Sequence, residues 1–270
     1  MGQRRLIVKG VSAAIVIFLM AASVAGTREV SGRQDGSERV VEIPVLNYHM
    51  VDNINISLSL APTQFDEQMR YLYENGYQSI NPEQLIDYLK YGKELPNKPV
   101  LITFDDGYLD NYTNAYPILK KYGFTATIFL VTSLVGKDPR FMNWDEVREM
   151  QQNGFVFGSH TVNHLAITTL APQQVMNELV ESSREMEREL GVRPKYFAYP
   201  TGAYNRQTAE LVRQAGYEAA FTIRYGRAGA ESNLYAIERI PIFRSSKTFR
   251  SFYYRLTAAP LLERLGIIRN

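Results

Sequence analysis

Cysteine is absent from the 270-residue chain. No disulfide framework and no thiolate metal site can therefore be built. Histidine is scarce, with three in all, and tryptophan occurs once, at Trp144. Neither sign of charge dominates. Thirty basic against 28 acidic side chains leave a formal net charge of +2. With no long basic run, the chain carries no nucleic-acid footprint. No apolar stretch reaches the ~20 residues of a comfortable membrane span. No Gly-x-Gly-x-x-Gly turn follows any strand pattern, which counts against a dinucleotide-binding sheet. What is present suits a globular fold: 45% hydrophobic and 21% charged residues allow a sizeable core and argue against global disorder.

The N-terminus has the pattern of a targeting segment. Arg4, Arg5 and Lys9 precede an apolar run from Val11 to Ala25, and Ser23-Val24-Ala25 has small residues at the spacing of a signal-peptidase site. Residues 1–26 are expected to be a signal peptide, or a membrane anchor if uncleaved. The polar stretch 27–42, with Gly32 and Gly36, reads as a linker. The fold is expected over residues 43–270. Secretion or surface anchoring follows, with membrane contact only through an uncleaved leader.

From Ile43 onward short apolar runs alternate with amphipathic ones. Strands are expected at 43–49, 99–105, 125–132, 155–160, 196–200, 219–223 and 237–243, being β-branched or aromatic and bounded by Gly, Pro or Asn. "PEQLIDYLKYG", "APQQVMNELVESSREMERELG" and "NRQTAELVRQAG" have helical periodicity with Pro or Asn at the start and Gly at the stop. Alternation of this kind predicts an α/β fold, a distorted (β/α) barrel of about seven parallel strands. The closing "TFRSFYYRLTAAPLLERLGIIRN" is expected to form a helix closing the barrel, with a membrane or anionic surface as its other reading.

Chemistry in such folds gathers at the C-terminal ends of the strands. All three histidines and one aspartate pair fall there. His49 ends the first strand, Asp105 and Asp106 the second, and His160 the fourth, with His164 four residues on. "Asp-Asp-Gly" is also a good turn, and a lone histidine is commonly a satisfied residue without chemistry. Neither reading explains two carboxylates at the exit of a burial-prone strand. A divalent cation does, by neutralising one of them. Two histidines and a carboxylate leave a position open for water, whose proton the second aspartate can take. The zincin motif shares the His-x-x-x-His spacing, but needs a Glu where Thr161 stands, on a helix rather than after a strand.

The segments "TFDDG" (Thr103–Gly107), "SHTVNH" (Ser159–His164) and "FAYPTG" (Phe197–Gly202) give the chain a family resemblance. Over about residues 43–243 it resembles polysaccharide deacetylases with the NodB homology domain, carbohydrate esterase family four. The resemblance implies Asp105 as general base and Asp106, His160 and His164 as ligands of a divalent metal, zinc first, with cobalt, nickel or iron as alternatives. It implies that the Thr201 N–H stabilises an oxyanion, within a substrate-binding turn that includes Tyr199, Pro200 and Gly202. Two departures stand out. Ala198 occupies the place of the arginine that braces the base, leaving Arg148, Arg239 and Arg244 as unranked candidates. No histidine follows His164, so the general acid has to be His49. An early acid histidine, and "NWDEVREM", are similar to the permuted branch that deacetylates poly-β-1,6-N-acetylglucosamine. Trp144 in that segment reads equally as a packing residue or a sugar-stacking wall. The partner implied is an N-acetylglucosamine polysaccharide. Peptidoglycan or chitin oligomers are alternative substrates. A non-catalytic glycan-binding module and a non-haem iron oxygenase are the rival classes.

Overall fold

The structure, a computed structural model, describes residues 42–245 and 248–259. The expected leader and most of the linker lie outside them. Among the described residues no helix is long and apolar enough to cross a membrane.

Eight strands form, all paired in parallel: β1 (Val45–Tyr48), β2 (Gln78–Ser79), β3 (Pro99–Phe104), β4 (Thr127–Leu130), β5 (Val156–Ser159), β6 (Tyr196–Ala198), β7 (Ala219–Tyr225) and β8 (Ile237–Pro241). The pairing β1–β8 together with β1–β3 closes seven of them into a barrel. The short β2 pairs only with the beginning of β3, through Pro99 and Val100. It is the one strand missing from the expected set, because two residues display no periodicity. The α-helices are α1 (Pro62–Glu74), α2 (Pro82–Tyr91), α3 (Tyr116–Lys121), α4 (Trp144–Gln152), α5 (Pro172–Leu190), α6 (Arg206–Gln214) and α7 (Thr248–Tyr253). Local chemistry explains several of their starts. Asn81, Asn143 and Asn205 accept from the backbone N–H three residues on, each closing a capping box. Proline opens α1, α2 and α5.

Successive strand residues point to opposite faces, and the core sorts accordingly. Val45, Leu101, Phe129, Phe221 and Ile237 share one cluster, the barrel interior, joined by Leu85 and Ile86 of α2. Their neighbours Leu46, Ile102, Ile128, Leu130 and Ile240 share another, facing the helices. Burial on both faces is why these strands read as unbroken apolar runs. The same period of two carries the interior faces of β1, β3 and β8 from apolar to polar as the strands rise. Val45 is followed by Asn47 and His49, Leu101 by Thr103 and Asp105, and Ile237 by Arg239. The barrel is therefore greasy below and ionic at its C-terminal end.

The closing segment is helical where it is described. Phe252 and Leu256 enter the main core, and Tyr71 of α1 makes edge contacts with Phe249, Phe252 and Tyr253. Arg255 donates to the Pro241 carbonyl at 2.6 Å, tying this segment to the end of β8.

Gly158 of β5 is dictated by closeness. A Cβ there would lie 2.6 Å from the Phe129 ring and 2.8 Å from the Tyr196 carbonyl oxygen. Gly158→Ala is expected to cost about 1–3 kcal/mol by overpacking, measured as a lower denaturation midpoint with unchanged slope.

Candidate active site

The loops after β1, β3, β5 and β6 carry the polar residues of the C-terminal mouth. Asp105 follows β3 and is almost fully buried. Its carboxylate is gripped by Arg239 of β8, with Nη1 donating to Oδ1 at 2.8 Å and Nη2 to Oδ2 at 2.7 Å. The guanidinium is itself fixed, donating through Nη1 to Thr103 Oγ1 at 3.1 Å and through Nε to the Thr222 carbonyl at 2.9 Å. Of the three candidate arginines this one braces the aspartate. Arg148 binds Asp145 and Glu189, and Arg244 donates to the Ile54 carbonyl. The sequence signature of Arg239 is an arginine two residues after Ile237, on the inward face of β8. Burial works to raise the Asp105 carboxyl, but Arg239, with His160 and His49, holds it well below the usual carboxylate range. Asp105 is thus an anion at any working pH.

Asp106 turns the other way, in a left-handed conformation with φ 75°. Its Oδ1 lies 3.5 Å from His160 Nε2 and 3.3 Å from His164 Nε2. These residues form a cluster able to hold a metal ion. The spacing fits one. Ligand atoms about 2.0–2.1 Å from a tetrahedral zinc stand about 3.3–3.4 Å apart. His160 Nδ1 is 2.7 Å from the Ala198 carbonyl. Donation to that carbonyl sets the tautomer and turns the Nε2 lone pair toward Asp106. Burial pushes His160 down to about 3 and lowers His164 too. Both shifts favour the neutral ring, the form that a metal ligand requires. Burial pushes Asp106 up to about 6, against the pull of His49 and with help from Asp105.

Four of the five non-glycine residues with positive φ among the described residues are here: Asp106, Thr161, His164 and Thr201, with Lys98 the exception. Such conformations cost ~1 kcal/mol or more each and persist where surroundings enforce them. Glu178 of α5 supplies that enforcement for the His160–His164 loop, an anchor the sequence did not reveal. Its Oε2 accepts from the Val162 and Asn163 N–H groups, both at 2.9 Å, and its Oε1 from Asn163 Nδ2 at 2.6 Å.

His49 is brought to the same mouth, its Nε2 4.0 Å from Asp105 Oδ2. Asn111 Nδ2 donates to the His49 carbonyl at 2.7 Å, and Val51 N–H to Asp110 Oδ1 at 2.7 Å, so the loops after β1 and β3 are stapled together. Thr201, at φ 59°, is exposed on the turn after β6. Gly202 donates to the Tyr199 carbonyl, and its own carbonyl accepts from Thr222 Oγ1 at 2.7 Å. Tyr199 differs from expectation. Its side chain is fully buried among Phe197, Val212 and Tyr217, and its hydroxyl donates to the Tyr235 carbonyl at 2.9 Å. The ring supports the turn from the core and is not a surface for substrate. Pro200 is likewise buried. Trp144 opens α4 half-buried, packed against the main core, as a packing residue would be.

Two outcomes follow from this geometry. Arg239→Met strands the buried Asp105 charge, so a loss of about 3–5 kcal/mol is expected in denaturant unfolding at neutral pH. Because the folded Asp105 value is depressed, its contribution is complete above the unfolded value of about 4 and fades as pH falls below it. The gap between wild type and Arg239→Met should close over that acid range. Calorimetric titration should show uptake of one divalent cation per chain. Uptake should weaken as pH falls below about 6, where Asp106 becomes protonated, and should be lost in Asp106→Ala.

Comparison with known proteins bears on the family of the chain. The family model described as polysaccharide deacetylase matches residues 92–220. YxkH of Bacillus subtilis (strain 168), whose name places it among the polysaccharide deacetylases, is 35% identical over 76% of this chain and 73% of its own. The poly-β-1,6-N-acetyl-D-glucosamine N-deacetylase of Staphylococcus aureus (strain N315) is 26% identical over 90% of this chain and 93% of its own. Among solved structures, the Streptococcus pyogenes deacetylase PplD in complex with acetate superposes with a TM-score of 0.76 at 30% identity, covering 80% of this chain and 99% of that one. With the ion-ready Asp-His-His cluster and the braced aspartate beside it, the chain belongs to the polysaccharide deacetylase family, whose members are hydrolases that use a divalent metal.

Proposed function

We propose that the protein removes N-acetyl groups from an extracellular N-acetylglucosamine polysaccharide, poly-β-1,6-N-acetylglucosamine, with zinc at the Asp106, His160 and His164 site. One observation carries the reading. His49, from the first strand, stands beside Asp105, so an acid and a base share the mouth although no histidine follows His164. The similarity to the Staphylococcus aureus enzyme over nearly the whole of both chains supports the substrate. The basic and apolar start of the sequence supports secretion or surface anchoring.

When bound, the cation supplies Lewis acidity, polarising the acetyl carbonyl and lowering the pKa of a water. The chain supplies the rest. Asp105, kept ionised by Arg239, accepts the proton of the attacking water. The Thr201 N–H donates to the oxyanion that develops on the acetyl carbonyl oxygen. His49 protonates the glucosamine nitrogen as the carbon–nitrogen bond breaks, releasing acetate and leaving a free amine.

Acetate release from β-1,6-linked N-acetylglucosamine oligomers tests this. Release is expected to require zinc, cobalt or nickel and to fall about 10²–10⁴-fold in Asp105→Asn and in His49→Ala. Undiminished release in His49→Ala would remove His49 from the acid role. Release from chitin or peptidoglycan fragments alone would reassign the substrate.

A further inference from the structure

Asn47 has no role in the scheme above, yet it is fully buried inside the barrel, one strand position below His49 on the same face. Its Nδ2 donates to Asp105 Oδ2 at 3.0 Å. A carboxylate only accepts, so the amide must present its nitrogen there. The consequence is that Asn47 Oδ1 is buried with no hydrogen-bond partner. An orphaned acceptor costs free energy that an apolar side chain of the same size would not incur.

The lone pairs of Asp105 show what that donation does. Each carboxylate oxygen has two acceptor sites. Oδ2 receives Arg239 Nη2 at 2.7 Å and Asn47 Nδ2 at 3.0 Å, and is full. Oδ1 receives only Arg239 Nη1 at 2.8 Å, and keeps one site. His49 Nε2 faces the filled oxygen and stands off at 4.0 Å, beyond hydrogen-bond distance.

We propose that Asn47 is a positioning residue that keeps acid and base apart. By occupying Oδ2 it denies His49 a hydrogen bond to Asp105 and leaves Oδ1 as the oxygen that receives the proton of water. Without it, the His49 N–H closes onto Asp105 Oδ2 as a hydrogen bond. The imidazole is then held at the base and turned away from the leaving amine. The inference rests on the roles given above to His49 and Asp105, and its test separates the two.

Asn47→Leu keeps the volume and removes the donor; Asn47→Ala is the second variant in case the first fails to fold. Both are compared with wild type in zinc-loaded protein. The first readout is the nitrogen and proton resonances of 15N-labelled His49, which report a new hydrogen bond to a carboxylate without requiring turnover. The second is kinetics on β-1,6-linked N-acetylglucosamine oligomers. The His49 N–H signal is expected to move downfield in the variants. The value of kcat is expected to fall about tenfold or more, with KM within about twofold and zinc content unchanged. A His49 resonance that stays in place, or an unchanged kcat, overturns the proposal. If wild type releases no acetate from these oligomers, the substrate reading fails, while a moved or unmoved His49 signal still decides for or against Asn47.

Discussion

The buried pair of Asp105 and Arg239 is the constraint around which the upper half of the barrel is organised. A carboxylate desolvated this completely would take up a proton unless a cation met it with good geometry. The fork of Arg239 meets both oxygens, and Thr103 and the Thr222 carbonyl hold the fork. Asn47, Thr103 and His49 stand around this pair, while Val45, Leu101 and Ile237 fill the interior below it. The pair is weak evidence for net stability, since burying two ions is costly. What it secures is an aspartate that stays anionic and stays in place.

Asp106 illustrates the opposite solution one residue later. It has no guanidinium, so burial raises it, and two neutral imidazoles face it across distances suited to a shared ion. Two adjacent carboxylates thus have unlike environments, which suit the unlike work proposed for them. The left-handed backbone at Asp106, Thr161, His164 and Thr201 is the conformational cost of aiming side chains and N–H groups at a single point. For the His160–His164 loop, Glu178 holds that backbone from outside the mouth.

Much of this was legible in the sequence. Seven of the eight strands and the parallel barrel could be read because strands buried on both faces write continuous apolar runs, and the chemistry could be placed because His49, Asp105, Asp106, His160 and His164 all sit at strand exits. Asn47 and Glu178 could not be found that way. An asparagine in a strand and a glutamate on an amphipathic helix announce nothing until pairing shows which face they occupy. Tyr199 misled for the same reason, since proximity to Thr201 in sequence does not reveal that its ring turns into the core. Arg239 was visible only as one of three arginines, for its partner is 134 residues away.

That separation has a consequence for the order in which the protein becomes competent. The region matched by the family model, residues 92–220, contains the aspartates, the later histidines and Thr201, but neither His49 nor Arg239. Those two lie on β1 and β8, the first and last strands, which meet only when the barrel closes. A chain emerging from its N-terminus presents Asp106, His160 and His164, the candidate cation ligands, before β8 brings the counter-ion of Asp105. Closure of the final strand delivers the counter-charge, completes the site and shuts the sheet in one event. The Arg239–Asp105 contact spans 134 residues, a long-range closure of the kind that carries a high loop-closure entropy.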